Sequence, residues 1–170
     1  PADGYVIGST SSSPGLIEVV GPQSKIDKIA GVSVDVNVSG ASEDVREKIL
    51  KSEFTLYGEG GEEISQDQLS FEQKSLKATV SILKKKEITI KLETKGDPKE
   101  GYSLSSLEYE PRKLLITGKE DEIKDLKSIT LDSISIEGLS STYTDEIRIT
   151  DEFLSKKAGK DILFHNEGLN

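Results

Sequence analysis

The stretch Val19–Val36, VVGPQSKIDKIAGVSVDV, has the pattern of a strand end, a glycine turn, a short helix and a second strand. Pro22 suits the first turn of a helix, and Ile26 and Ile29 lie three positions apart on one face of it. Gly31 can end that helix, and the valines after it alternate with polar residues, as they do in a half-buried strand. The stretch therefore predicts one strand–helix–strand unit.

The same unit recurs 97 positions later, at Ile116–Asp132, ITGKEDEIKDLKSITLD. The matching positions carry glycine, proline or apolar residues: Gly4 and Gly101, Pro14 and Pro111, Gly21 and Gly118, Ile26 and Ile123, Val32 and Ile129. Farther along the spacing is 98, as between Ile49 and Ile147. Because self-similarity at a fixed spacing marks a repeated structural unit, the sequence predicts two tandem domains, residues 1–85 and 86–170.

The second copy has one extra residue, near positions 132–133. In Val32–Val38 the valines alternate strictly, which puts them on one face of a strand. In Ile129–Ile136 the alternation slips once, and an uncompensated slip would turn the later isoleucines to the opposite face. We therefore predict a β-bulge at positions 132–133 that returns them to the core side.

The predicted fold class is mainly β, with one short helix in each domain. Further strands are predicted at Leu16–Val20, Ile49–Tyr57, Ala78–Leu83, Ile88–Leu92 and Lys113–Thr117, with a hairpin turn at Gly58–Glu63 and a loop at Ser9–Pro14. Three acidic residues, 120–122, open the helix of the second copy, where the helix dipole favours them. The strands on either side of Lys84–Lys86 keep one parity, so we expect one domain to run into the next without a flexible linker.

Each copy lacks one strand that the other copy has. The strand at Ile88–Thr94 precedes the Gly-Tyr pair of the second copy, whereas three residues precede it in the first. The counterpart of Ala78–Leu83 in the second copy would fall beyond Asn170. The first domain is therefore expected without its N-terminal strand and the second without its C-terminal strand. Either the sequence is cut within an array of such domains, or the open edges pair with another chain by strand exchange.

Composition excludes several classes of site and partner. The net charge is −9, which disfavours nucleic-acid binding, and the chain has no cysteine, which excludes disulfides and cysteine-based catalysis or metal binding. No apolar run approaches the length of a membrane span. A sequence that starts at Pro1 is expected to be part of a longer protein, so any membrane anchor would lie outside this region.

No motif has the residues that a catalytic or ligand site requires. Asp35–Gly40, DVNVSG, resembles the opening of a calcium loop, but the twelfth position is Arg46 where a bidentate glutamate is needed. Gly58–Gly61 lacks the third glycine of a dinucleotide fingerprint. His165, the one histidine, has no nucleophile-elbow context. We therefore predict a protein that is not an enzyme and has no catalytic, cofactor-binding or metal-binding residues.

Two further features have structural interpretations. The acidic segment Lys119–Asp125 is interpreted as a solvated helix surface rather than a docking face. Tyr5 and Tyr102 follow equivalent glycines, so they are expected to serve the fold. The few aromatic residues do not suggest an exposed platform for a sugar.

The repeated pattern resembles the YbbR-like domain. It reads Gly-Tyr, then Pro-x-x-[LIV]-x-[VI]-x-Gly, a short helix with two apolar residues, and an alternating strand that ends near a glycine. Both copies, Gly4–Gly40 and Gly101–Gly138, keep this order, and the resemblance covers nearly the whole chain.

The resemblance implies small, mostly β domains in tandem arrays. In Gram-positive bacteria such arrays usually follow an N-terminal membrane helix and lie outside the cytoplasm. The best-known members bind and regulate the membrane diadenylate cyclase that makes cyclic di-AMP. The expected function is thus a non-enzymatic, extracytoplasmic interaction and regulatory module with a protein partner and no cofactor. A cell-surface or cell-wall binding module is the alternative.

Overall fold

The computed structural model describes residues 1–164 and is built mainly of strands, as the sequence predicts. The chain divides into two compact units, unit 1 from Pro1 to Ile82 and unit 2 from Leu83 to Asn170. The division falls inside one long strand, Ser75–Lys91.

Unit 1 consists of short strands and two single helical turns. In chain order the elements are β1 (Tyr5–Ser13), β2 (Val19–Val20), α1 (Gln23–Ile26), β3 (Gly31–Ser33), β4 (Val45–Leu50), a 3-10 turn (Lys51–Glu53), β5 (Thr55–Tyr57), β6 (Glu63–Ile64), β7 (Ser70–Phe71) and the start of β8 (Ser75–Lys91). β4 pairs antiparallel with β8, from Val45 opposite Val80 to Leu50 opposite Ser75. β1 also pairs with β8.

Two predictions for unit 1 are wrong. Ile49–Tyr57 is not one strand, because a 3-10 turn separates β4 from β5; the Glu53 carboxylate accepts the Leu50 N–H at 2.8 Å. The turn brings Phe54 into the core, where it is 3% exposed. Its ring lies edge-on to the ring of Phe71, with 5.5 Å between the ring centroids. The serines predicted to form a loop after residue 8 belong to β1, since pairing with β8 outweighs their weak strand propensity.

Three predicted strands or turns differ from the structure in extent. Only Val19–Val20 of the predicted strand at residues 16–20 is paired, opposite the two-residue β7, and Leu16 is 85% exposed. β3 ends at Ser33, yet the valines beyond it remain half-buried in alternation. Gly31 begins β3 instead of ending the helix. A Cβ atom at this position would lie 2.6 Å from the Tyr57 Cζ, too close for a side chain.

Unit 2 contains the rest of β8 and two helices. The elements after β8 are β9 (Thr94–Lys95), β10 (Lys113–Gly118), α2 (Glu120–Ile123), β11 (Ser128–Thr130), β12 (Ile134–Ser135), α3 (Asp151–Ala158) and β13 (Ile162–Phe164). β10 pairs antiparallel with β8 and with β13, and β11 pairs parallel with β8. The fully buried side chains of this unit include Ile116, Ile123 and Ile162, so the core lies beneath β8, β10, α2 and β13.

The two copies share backbone geometry at equivalent positions. Gly4 and Gly101 have φ of 81° and 84°, and Gly40 and Gly138 have φ of 70° and 68°. These left-handed conformations suit glycine, which has no Cβ to clash. α1 and α2 keep the spacing of 97, and the N–H of Ile26 donates to the residue-22 carbonyl just as Ile123 donates to that of residue 119.

β8 is continuous where two separate strands were predicted. Its even-numbered residues point inward on both sides of Lys84–Lys86, from Leu76, 6% exposed, to Ile90, 2% exposed. The lysines lie within the strand: Lys84 pairs with Glu120, and the Lys86 ammonium donates to the Ile123 carbonyl at 2.9 Å. Because cations at these positions meet an acidic residue and a carbonyl at the C-terminal end of α2, the strand crosses the polar segment without a break.

The predicted β-bulge is confirmed by the strand register. β11 pairs Ser128 with Thr89, and β12 pairs Ile134 with Thr94, both in parallel. The chain therefore advances by one residue more than its partner strands between these two pairs. Leu131 before the break is buried, and Ile134 after it is half-buried on the same side of the sheet.

α3 is a second helix in unit 2 where one helix per domain was predicted. Its sequence nevertheless contains standard boundary signals: Thr150 accepts the Phe153 N–H at 3.1 Å, and Gly159 follows the last turn with φ 64°. Leu154, 1% exposed, packs the helix into the core. An ion pair from Lys157 to Asp132 also connects α3 to the bulge.

Two exposed carboxyl groups have shifted pKa values. A hydrogen bond from Lys157, together with its charge, lowers the pKa of Asp132. In unit 1 a side-chain hydrogen bond with Glu72, and the charge of that carboxylate, raise the pKa of Glu18. Lowering the pH through the folded-state value of Asp132 therefore weakens the contact between α3 and the bulge.

Deleting Ser133 should destabilise unit 2, because the bulge would be lost and Ile134 and Ile136 would turn away from the core. We expect a loss of about 3 kcal/mol in the free energy of unfolding, from two partly buried isoleucines. Urea denaturation followed by circular dichroism measures it. The control Ser133→Ala keeps the chain length and should change stability by less than about 1 kcal/mol; equal stability of the deletion variant would contradict the register argument.

Candidate functional site

Unit 2 contains an open cleft of about 540 Å³. Residues 102–111 form its first wall and residues 139–149 its second wall. The floor consists of five apolar side chains in or next to β8, β11 and β12: Ile90, Leu92, Leu131, Ile134 and Ile136. The cleft is within the size range of ligand-binding pockets, and its apolar floor is typical of them.

Both walls have the side-chain alternation of strands. In the first wall Leu107 and Tyr109 are half-buried and the acidic residues beside them are exposed. In the second wall Ile147 and Ile149 are half-buried, with Arg148 exposed between them. Tyr109 and both isoleucines pack against the core of unit 2. The end of each wall therefore has the alternation of a strand, with one face directed inward.

Neither wall belongs to a strand. Among residues 1–164, no backbone-to-backbone hydrogen bond involves positions 103–110 or 140–149. In native proteins nearly all peptide N–H and C=O groups form hydrogen bonds, either with protein or with water. The walls therefore present polar backbone beside an apolar floor, which is the chemistry of an open sheet edge.

One side chain holds the first wall against the sheet. The Tyr109 hydroxyl donates a hydrogen bond to the Ile90 carbonyl at 3.1 Å. The Arg112 guanidinium lies over the same ring, 4.9 Å from its centre, in a cation–π contact. These contacts fix the end of the first wall nearest β10.

The charged side chains that line the cleft are all acidic: Glu108, Glu110 and Asp145. Two exposed tyrosines, Tyr102 and Tyr143, line it as well, 56% and 53% exposed. The sequence predicts that Tyr102 serves the fold, and its few aromatic residues suggest no exposed platform. That grouping depends on the two walls facing one another, which no local pattern indicates.

Unit 1 shows the same wall positions with a partner strand in place. β1 and β4 are the equivalents of the two walls, and both pair with β8. Ile49 of β4 is 2% exposed, whereas its equivalent in the second wall, Ile147, is only half-buried. Tyr5 of β1 is half-buried, and its equivalent Tyr102 is exposed. The cleft of unit 2 therefore corresponds to a position that a strand fills in unit 1.

The motifs weighed in the sequence lie away from the cleft. In Asp35–Gly40 the Asn37 side chain accepts the Ser39 N–H at 2.9 Å. Gly58–Gly61 is the turn of the β5–β6 hairpin, as predicted. His165 lies outside the described residues. Within residues 1–164, no three acidic or histidine side chains converge as metal ligands would.

The acidic segment at α2 is engaged with the fold. Glu120 pairs with Lys84, and the Lys160 ammonium donates to the Glu122 carbonyl. The segment is therefore tied to neighbouring elements of unit 2. In the described part of the chain, no helix has the length and apolar character to span a membrane.

Comparison with known families assigns the repeat. The family model described as YbbR-like protein matches residues 1–53 and 87–157, which together are most of the chain. The chain belongs to the YbbR-like family. The matched segments include both copies of the strand–helix–strand unit, and the second segment includes both walls of the cleft.

A curated relative is similar to this YbbR-like protein over most of the length of the present chain. It is the CdaA regulatory protein CdaR of Bacillus subtilis (strain 168), 26% identical over 135 residues, or 79% of this chain. The match spans 26% of that relative's own length. No solved structure matches the chain.

Replacing Tyr109 with phenylalanine should loosen the first wall, because the Ile90 carbonyl loses its hydroxyl partner. We expect a loss of about 1 kcal/mol in the free energy of unfolding, and faster hydrogen exchange at residues 103–110, measured by mass spectrometry. The matched control is Tyr143→Phe, at an exposed position, which should change stability by less than about 0.5 kcal/mol. Unchanged exchange in Tyr109→Phe would show that other contacts hold this wall.

Proposed function

We propose that this YbbR-like chain is a non-enzymatic, extracytoplasmic regulatory module that binds a diadenylate cyclase and so adjusts the level of cyclic di-AMP. In the whole protein it is attached to the membrane by an anchor outside this region. The proposal rests on the family and on the relative named as a regulator of CdaA. That relative is matched over about a quarter of its length, so its activity is carried to this chain as a proposal.

The cleft of unit 2 is the observation that favours a protein partner. Its floor is apolar, its walls form no backbone-to-backbone hydrogen bond within the described residues, and two exposed tyrosines line it. Tyrosine is among the residues that contribute most binding energy at protein interfaces. Backbone groups that form no backbone-to-backbone hydrogen bond within the described residues, beside an apolar surface, are complementary to another polypeptide.

Binding to the cyclase should depend on the cleft. We expect the immobilised chain to retain the organism's diadenylate cyclase from detergent-solubilised membranes, and Tyr143→Asp to reduce retention about tenfold, as for one interface hot spot. Leu16→Asp is the matched control, since Leu16 is an exposed apolar residue in unit 1.

Deleting the gene should also change cellular cyclic di-AMP, measured by mass spectrometry of cell extracts. No retention of the cyclase together with unchanged nucleotide would overturn the regulatory proposal. Retention on purified cell wall that depends on Tyr102 and Tyr143 would instead favour the surface-binding alternative.

The extracytoplasmic location can be tested with one introduced cysteine, since the chain has none of its own. Glu59→Cys places a thiol in the exposed turn of the β5–β6 hairpin. A membrane-impermeant maleimide should label the whole protein carrying this substitution in intact cells, to the same extent as after lysis. Labelling that requires lysis would contradict the proposed location.

A further inference from the structure

We propose that the outer face of the β4–β8 strand pair in unit 1 binds the phosphate groups of an anionic phospholipid surface. Three cations on this face, Arg46, Lys48 and Lys77, contact the headgroups. The inference goes beyond the proposed function, because it concerns a different surface and does not depend on the cyclase.

The strand register brings the three cations together. β4 and β8 pair antiparallel, and Lys48 lies directly opposite Lys77. Such a pair points to one face of the sheet, and Arg46, two positions along β4, points to the same face. The alternate residues Ile49 and Leu76 point to the core, at 2% and 6% exposure. All three cations are exposed, so this face is directed to solvent.

The cations line a shallow depression of about 370 Å³. The hydroxyl residues Ser13 and Ser75 line it as well. Lysine, arginine and hydroxyl groups are donors that proteins use to bind phosphate oxygens. One acidic residue, Glu47, is also part of the lining, but by alternation it belongs to the other face of β4. The depression therefore has the room and the donors to receive a headgroup phosphate.

The fold does not neutralise the two lysines. Among residues 1–164, neither Lys48 nor Lys77 forms an ion pair or a side-chain hydrogen bond. Arg46 has a long ion pair with Asp44, at 3.7 Å, and its side chain is still 60% exposed. Like charges that lie directly opposite one another destabilise a sheet. The lysine pair therefore weakens unit 1 unless an anion binds between the two charges.

Protection of a sheet edge explains only part of this cluster. Lysines on an edge strand oppose aggregation, and in the described part of the chain β4 pairs with β8 alone. Lys48 can have that role. Lys77 cannot, because it lies on β8 at a position where β4 is already the partner strand.

The internal repeat shows that the fold does not require these cations. The inward isoleucine of β4 recurs in unit 2 as Ile147. The outward Arg46, by contrast, corresponds to Thr144. The equivalent of Lys48 is Glu146, which has the opposite charge. A difference confined to the outward residues indicates a surface property of unit 1.

The composition of the face favours a lipid surface over other anions. Leu50, 49% exposed, lies on the same face, opposite Ser75. An exposed apolar side chain beside basic ones is typical of surfaces that lie on a bilayer. None of the outward residues of this strand pair is aromatic, so nucleic-acid bases have nothing to stack on. The flat side of two paired strands also lacks a deep groove that could enclose an acidic peptide.

The acidic character of the whole chain makes this binding dependent on salt. The net charge is −9, so at low ionic strength distant acidic residues repel an anionic surface. At about 0.15 M salt, charges farther away than about 8 Å are largely screened, and the contacting cations dominate. Each cation near such a surface contributes about a factor of five in affinity.

Sedimentation with lipid vesicles tests the inference on the whole chain. One set of vesicles consists of phosphatidylcholine, and the other contains phosphatidylglycerol as well. We expect the chain to sediment with the anionic vesicles only, and to be released at about 1 M salt, where the screening length falls to about 3 Å. Equal sedimentation with both sets, or with neither, would overturn the inference.

A charge reversal locates the binding face. Lys48→Glu/Lys77→Glu should weaken binding to the anionic vesicles by about tenfold or more, since two contacting cations are lost. The neutral variant Lys48→Gln/Lys77→Gln removes the repulsion within the pair, so it should stay folded by circular dichroism and still bind weakly. The matched control Lys28→Glu/Lys99→Glu makes the same change in net charge at other exposed positions and should keep most of the binding. An equal loss in the control would refute this assignment.

Nuclear magnetic resonance distinguishes lipid from other anions. Soluble short-chain phosphatidylglycerol should change ¹⁵N chemical shifts at residues 45–50 and 75–79, and changes confined to other residues would contradict the proposed face. Inorganic phosphate that displaces the chain from vesicles at the concentration of the lipid phosphate would assign the face to a free phosphate ligand instead. Shift changes with polyglutamate, without any binding to vesicles, would assign it to an acidic polypeptide.

Discussion

The alternating burial along β8 is the constraint on which both units depend. Leu76, Ala78, Val80 and Ile82 turn inward in unit 1, and Ile88 and Ile90 do so in unit 2. Fully burying an aliphatic side chain of this size contributes about 1.5–3 kcal/mol, and the backbone of the same strand bonds to β1, β4, β10 and β11. One strand thus supplies core side chains and hydrogen-bond partners to each unit.

The cleft of unit 2 depends on the same pairing between strands. A wall position in unit 1 has a partner strand, and the equivalent positions in unit 2 have none among the described residues. The walls keep strand-like alternation because Tyr109 and Ile147 still pack on the core beside them. Sheet chemistry thus produces the features of the candidate site: an apolar floor, polar backbone on two sides and acidic groups at the edge.

Much of the fold could be predicted because it depends on local patterns. Alternation predicted the inward face of Val32–Val38, and one slipped position predicted the bulge near Asp132. α3 was not predicted, although Thr150 and Gly159 are ordinary helix boundary signals, because the equivalent residues of unit 1 have the pattern of a strand and a turn. β1 was missed because its serines have weak strand propensity and only pairing with β8 makes them a strand. None of the cleft residues was predicted as a site, because residues 112–138 separate the two walls in the chain and no local pattern brings them together.

By itself, the sequence determined the repeat with its matching glycines, the acidic start of α2 and the family. These features depend on residue type and spacing within one short segment, where steric limits and periodic burial act directly. Only the tertiary structure decided that β8 is continuous through its lysines, and that Tyr102 and Tyr143 border one cleft. Both outcomes depend on which distant segments lie next to each other. In unit 2 the two walls line one cleft, and no described strand pairs with either of them.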